Sequence, residues 1–284
     1  MIKVGIESGA YLGRYGFAEG LKKMAAHGYE ALDYQDFCNT ETPLFQCSEA
    51  EFEKRLKEER KQIEDAGLVI SQTHGPWRWP PQDFTEEQRA ERFEKMAKSI
   101  RGNAILGCEN FVIHPIMPFG DNQDPEPEKL WSMNYEFMGR LTEVAKEYGV
   151  VICFENMPMR ALSLSRPSEI LEFVKNINSD HFKMCLDTGH CAVFGESPAE
   201  AVRLIGKDIL RVLHIHDNNG QGDLHWIPYT GVIDWTDFAA ALQEIGFEGA
   251  ASLECAVPGK IPADIRDLAE LSLCRMAYKI AGRI

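Results

Sequence analysis

Short apolar runs alternate with longer stretches of helical periodicity from one end of the chain to the other. Val4–Glu7, Ala31–Tyr34, Val69–Thr73, Asn110–His114, Val150–Asn156, Phe182–Asp187, Leu210–Asp217 and Ala250–Cys255 read as strands. Between them, Phe17–Ala26, Ser48–Ala66, Glu86–Leu106, Pro127–Tyr148, Pro167–Asn176, Pro198–Ile205 and Asp234–Ile245 read as amphipathic helices, and Pro262–Ala281 closes the chain. A strand followed by a helix, repeated eight times, predicts a parallel α/β protein and favours a closed (β/α)8 TIM barrel in one domain over 1–284. The rival is an open doubly wound sheet, but no G-x-G-x-x-G follows the first strand and no G-x-x-x-x-G-K-[ST] occurs.

Punctuation agrees with the pattern. Gly28, Gly67, Gly107, Gly149 and Gly246 stand just after helical runs, where a left-handed residue ends a helix. Pro127, Pro167, Pro198 and Pro262 stand at helix starts, where a missing N–H costs little. The longest predicted loops, 75–85, 115–126 and 218–233, all fall on the strand-to-helix side, where barrel enzymes build their sites.

Composition changes this picture little. A hydrophobic content of 44% suits one large core. The formal net charge of −14 makes nucleic acid an improbable partner. No apolar run approaches the ~20 residues of a membrane span, and no secretory leader pattern opens the chain, so a cytoplasmic location is expected. None of the eight cysteines forms a C-x-x-C pair, and they are expected to be reduced and structural.

Candidate chemistry lies at the strand ends. Runs three to eight end at or beside His74, His114, Glu155, Asp187, His216 and Glu254, with His190, Asp223 and His225 a few residues downstream. Any one of these alone is more simply a cap or a solvated side chain, and Asp187-Thr-Gly-His190 reads as a strand turning into a loop. The coincidence is what counts: a closed barrel brings all these ends to one mouth. His214, two residues before His216, would share its inward direction, while His27 and His181 read as surface residues. Carboxylates with imidazoles suit Mn²⁺, Zn²⁺, Co²⁺ or Mg²⁺. Glu155, Asp187, His216 and Glu254 would surround one such cation, which relieves their mutual repulsion. Cys153 and Cys185, each two residues before a carboxylate, read as packing beneath that layer. Trp77, Trp79 and Trp226 near the mouth suit either stacking on a sugar or plain loop packing. Arg78, Arg160 and Lys260 are the nearest cations for a hydroxyl or phosphate group.

These segments resemble the xylose isomerase-like barrels. The likeness rests on Thr73–Trp77 (THGPW), Phe111–Pro115 (FVIHP), Phe154–Pro158 (FENMP), Leu186–His190 (LDTGH), His214–Gly220 (HIHDNNG), Gly222–His225 (GDLH), Gly231–Trp235 (GVIDW) and Leu253–Cys255 (LEC), in family order. The resemblance implies a divalent-metal isomerase or epimerase acting on a small sugar, sugar phosphate or polyol ketone by proton transfer through an enediolate. It implies Glu155, Asp187, His216 and Glu254 as metal ligands, with Glu155 and Glu254 as the proton-transferring pair. It also implies His190 at a substrate-binding position, and Trp77, Trp226 and Arg160 are further candidates for substrate contact. The family's basic residue shortly after the strand-seven histidine is replaced here by Asn218, Asn219, Gly220 and Gln221. Alternatives are a dehydratase or lyase on a similar substrate, an AP endonuclease-like zinc phosphodiesterase using His74, His114, His190, Asp223 and His225 as well, and a non-catalytic sugar-binding barrel. A homo-oligomer is compatible with all four readings.

Overall fold

The computed structural model describes residues 1–78 and 80–284. Its strands are β1 (Lys3–Glu7), β2 (Ala31–Tyr34), β3 (Val69–His74), β4 (Asn110–Ile113), β5 (Val151–Glu155), β6 (Phe182–Asp187), β7 (Leu210–His214) and β8 (Ala250–Leu253). All pair in parallel in the order β7-β6-β5-β4-β3-β2-β1-β8. The ring closes between β7 and β8 through Ile215, whose N–H donates to Ser252 O at 2.9 Å and whose carbonyl accepts from Glu254 N at 3.0 Å. This is a TIM barrel, as the alternation of runs predicts.

The surrounding helices are α1 (Gly9–Tyr15), α2 (Phe17–His27), α3 (Pro43–Gln46), α4 (Glu49–Asp65), α5 (Glu86–Leu106), α6 (Pro127–Tyr148), α7 (Pro167–Ile177), α8 (Thr188–Val193), α9 (Pro198–Ile205), α10 (Trp235–Glu244) and α11 (Ala263–Ile280). Their ends follow local chemistry. Thr85 and Gln88 form a reciprocal capping box at the start of α5, and Gly107 ends that helix in the left-handed region at φ 73°. Three short helices depart from the sequence reading. In particular, the Asp187-Thr-Gly-His190 stretch turns from strand directly into α8 rather than into a loop, with Asp187 as its N-cap accepting from His190 N.

Two packed layers position the mouth. Outside the barrel, Phe154 and Phe182 on the strands meet Phe173 of α7. Inside it, Val112, Cys153, Cys185 and Val212 form one buried cluster. Each stands two residues before His114, Glu155, Asp187 or His214, so the strand period points those four side chains the same way one layer higher. All eight cysteines are free, and Cys153 and Cys185 are core fillers here. His27 corrects the sequence reading: it is buried, with Nδ1 2.7 Å from the Tyr11 hydroxyl and Nε2 3.2 Å from Asp267. Its position at the end of an amphipathic helix hid that inward turn. No helix among the described residues is long and apolar enough to cross a membrane.

Candidate metal centre

At the C-terminal ends of the strands, donor atoms converge in overlapping groups. His74, His114 and Glu155 form one; Glu155, Asp187, His214 and Glu254 form another; Asp187, His190 and His216 a third; His216, Asp223 and His225 a fourth. Within each, the donor atoms lie within 4.8 Å of one another. Glu155 joins the first two: its Oε2 is 3.1 Å from His114 Nε2, and its Oε1 is 3.0 Å from His214 Nδ1. His214 Nδ1 is also 3.3 Å from Glu254 Oε2. Asp187 joins the next pair, with Oδ2 3.1 Å from His216 Nε2. Asp223 then reaches His190 at 3.4 Å, His216 at 3.5 Å and His225 at 3.3 Å.

The two histidines of His214-Ile-His216 therefore divide between groups. β7 ends at His214, which continues the inward series from Val212 and meets Glu155 and Glu254. Ile215 then turns to bond β8, and the His216 ring lies against Gly189 of α8, where an added Cβ would fall 1.9 Å from the ring. Gly189 is thus required by close approach rather than by its backbone angle. His225 stacks on His216 with ring centroids 4.1 Å apart, and its Nδ1 lies 2.7 Å from Glu254 O. It holds that aim at φ 46°, a strained angle for a side-chain-bearing residue.

The electrostatics separate the two glutamates. Burial pushes the Glu155 carboxyl up, but the His214 and His114 imidazoles hold it well below the usual carboxylate range. Burial pushes Glu254 well above that range, with Glu155 and Asp187 adding repulsion against the pull of His214. Burial opposes charge on His190, but Asp187 and Asp223 bring it up to about 10. His225, also opposed by burial, is raised to about 10 by Asp223 and Glu254. His74 goes the other way, to about 4, through burial and the neighbouring His114.

Two atoms bear directly on whether a cation fits. Asp187 Oδ2 and His216 Nε2 are buried and lack hydrogen-bond partners. Such groups are costly unless something else satisfies them, and carboxylates with imidazoles are the donor set of a hard or borderline divalent ion.

The remaining candidates are placed less centrally. Trp77 is 44% exposed with its ring 5.7 Å from that of His114, and Trp226 is 40% exposed with its backbone paired in both directions to Asp217. Arg160 bonds the Val193 and Gly220 carbonyls, and Arg78 bonds Gln82 and Glu91. Both cations therefore tie loops together. Lys260 is exposed, and Trp79 lies outside the described residues. Sequence reasoning passed over Glu7, Asp33 and Gln72. Glu7 and Asp33 stand on β1 and β2, so extending the inventory of strand ends to the first two strands reveals them.

Asp217 was also passed over. Its buried carboxylate accepts from Asn218 N, Gly231 N, Ile233 N and Trp235 Nε1 at 2.9–3.3 Å. These four bonds fold the loop carrying Asp223 and His225 back on itself.

The xylose isomerase-like TIM barrel family matches residues 21–273. A D-psicose 3-epimerase of Enterocloster bolteae is 28% identical over 287 residues, covering 94% of this chain and 90% of the relative. An uncharacterised protein of Methanocaldococcus jannaschii is 34% identical over 180 residues, 61% of this chain and 60% of that protein. Among solved structures, a D-psicose 3-epimerase in the presence of D-fructose superposes with a TM-score of 0.78 at 18% identity, covering 99% of this chain and 100% of the other. The IOLI protein with a binding zinc atom superposes at 0.75 with 18% identity, covering 98% and 96%.

Proposed function

Since this chain belongs to the xylose isomerase-like TIM barrel family, we propose that it is a metal-dependent isomerase or epimerase of a small polyhydroxy ketone. The observation that carries this reading is the pair Glu155 and Glu254, carboxylates from separate strands that approach His214 Nδ1 at 3.0 and 3.3 Å. Two carboxylates facing one site from different strands are placed to exchange a proton with a bound molecule. One of the pair takes the proton from the carbon beside the carbonyl, and the other returns one from the opposite side.

Glu155, Asp187, His216 and Glu254 would hold the cation, which supplies Lewis acidity toward the carbonyl oxygen when bound. Buried Asp187 Oδ2 and His216 Nε2, 3.1 Å apart and without hydrogen-bond partners, support this choice, whereas both ring nitrogens of His214 already face carboxylates. His190 and His225, held protonated by Asp223, are suited to donate to substrate hydroxyls. With Arg78 and Arg160 committed to loop contacts, an unphosphorylated substrate fits better than a sugar phosphate. The D-psicose 3-epimerase and zinc-bound IOLI relatives support both the reaction class and the cation. Eight free cysteines suit a cytoplasmic setting.

A second reading is favoured by the number of donors. The overlapping groups offer more ligands than one ion uses, as a multinuclear zinc phosphodiesterase requires. Metal analysis together with a panel of ketoses, ketose phosphates and inososes separates the two. About one ion per chain with ketose turnover is expected; about three zinc ions with cleavage of an abasic duplex selects the phosphodiesterase instead. In the isomerase, Glu254→Gln lowers kcat by about 100-fold or more while metal is retained. Undiminished turnover by the metal-loaded variant would sink the role given to Glu254.

A further inference from the structure

His214 is fully buried at the end of β7, and carboxylates face both of its ring nitrogens. On one edge, Nδ1 lies 3.0 Å from Glu155 Oε1 at the end of β5 and 3.3 Å from Glu254 Oε2 just past β8. On the other edge, Nε2 lies 3.0 Å from Oδ2 of Asp33, a buried residue of β2. The same Asp33 oxygen accepts from Gln72 Nε2 at 3.1 Å, and Gln72 donates a second bond to Leu213 O at 3.3 Å. The His74 ring lies almost parallel to His214, at 10° with centroids 5.6 Å apart, and so limits its tilt.

His216, two residues on, is placed differently. Its Nε2 is buried without a hydrogen-bond partner beside the likewise unpartnered Asp187 Oδ2, which suits a cation. His214 has no nitrogen to spare. An ionised carboxylate only accepts, so each of these contacts draws an N–H from the His214 ring. Glu155 is held on its second oxygen as well, with Oε2 3.1 Å from His114 Nε2. Each carboxylate oxygen has two lone pairs, so an imidazole bond fixes the group's rotation and still leaves room for a cation and a proton.

We propose that His214 is a positioning residue of the proton-transferring pair: anchored on Asp33, it joins Glu155 to Glu254 and fixes the separation and rotation of both carboxylates. The two glutamates come from strands that are not neighbours in the barrel, so no backbone ladder sets their spacing. The His214 ring is a contact they share. Moving a proton to and from one carbon tolerates little error, and a displacement of about 1 Å costs about 100-fold in rate. Asp33 and Gln72 keep the ring from rotating out of this span. The proposal rests on the isomerase reading above.

The test compares the parent protein, His214→Phe and His214→Gln. Zinc affinity is measured by competition with a chromophoric chelator, and kcat and KM with the ketose that the zinc-loaded parent turns over fastest. Nitrogen-resolved spectra of the zinc-loaded, ¹⁵N-histidine-labelled parent are expected to show zinc on His216 Nε2 and none on His214. His214→Phe keeps a ring and removes both donors. It is expected to bind zinc within about tenfold of the parent and to keep KM within about threefold, while kcat falls about 100-fold. His214→Gln retains one donor and is expected to recover part of that loss. If the phenylalanine variant does not fold, the glutamine variant decides: a fall in kcat of about tenfold or more with zinc retained supports the role. A smaller fall, zinc bound more than about tenfold more weakly, or zinc on His214 overturns it while leaving the isomerase reading intact. A parent that binds no zinc, or turns over no ketose when loaded, overturns both.

Discussion

Glu59 of α4 shows how a single buried carboxyl carries a pH dependence. It accepts the Tyr34 hydroxyl from β2, and burial pushes it up to about 7 against that hydrogen bond, with Asp36 adding repulsion. In the unfolded chain the same group titrates near its ordinary value of 4.5. Between those two pH values the folded state binds the extra proton, so this contribution to stability is complete below about 4.5 and is lost as pH rises through about 7. Glu59→Gln removes the dependence. Urea denaturation at pH 5 and pH 8 should show the parent losing on the order of 1–3 kcal/mol more than the variant between those conditions, after allowance for partial solvent screening. Superimposable pH profiles would refute the assignment.

At this same scale, much of the site was legible in the sequence: His74, His114, Glu155, Asp187, His190, His216, Asp223, His225 and Glu254 all stand in the converging groups. Their visibility has a physical cause, since each is a polar residue that interrupts or directly follows an apolar run. The different surroundings of His214 and His216 were not legible. A period of two gives both the same direction, and only the pairing of Ile215 with β8 shows that the strand ends between them. Asp33 and Gln72 were hidden for a related reason, because a strand buried on both faces admits an inward polar residue only when its partner comes from a distant part of the chain.

At the scale of elements, the eight strands and the long helices follow from period and punctuation, whereas α1, α3 and α8 span too few turns for a period to register. The loop after β7 is the element most dependent on one side chain. Asp217 binds its two ends together, and Asn218 adds a bond from Nδ2 to Gly189 O at 2.7 Å. Asp217→Ala leaves four donors without their carboxylate, at about 1.5–3 kcal/mol for each charged hydrogen bond that is buried. The expected outcome is selective loosening: chymotrypsin, given Leu224, Trp226 and Tyr229 already exposed, should cut within 218–233 at least about tenfold faster than in the parent. Cleavage spread evenly over the barrel, or unchanged, would show that the loop does not depend on this clasp.

For the whole molecule, the formal charge of −14 and the carboxylates gathered at one mouth make a bound cation a contributor to stability. At a free metal concentration of 100 times Kd, the gain is about 2.7 kcal/mol, or about 5 °C in Tm for a chain of this size. Stripping the metal-loaded protein with a chelator should lower Tm by about that amount, and adding back Mn²⁺ or Zn²⁺ should restore it; an unmoved transition would contradict the proposed centre. The consequence extends to the barrel itself. Its ring of strands is joined between β7 and β8 by the backbone of one residue, Ile215. Directly above that seam, His214 on one side faces Glu254 on the other across 3.3 Å. That contact is a second rivet through the thinnest stitch of the cylinder, so the side chains of the mouth and the integrity of the wall share one fastening.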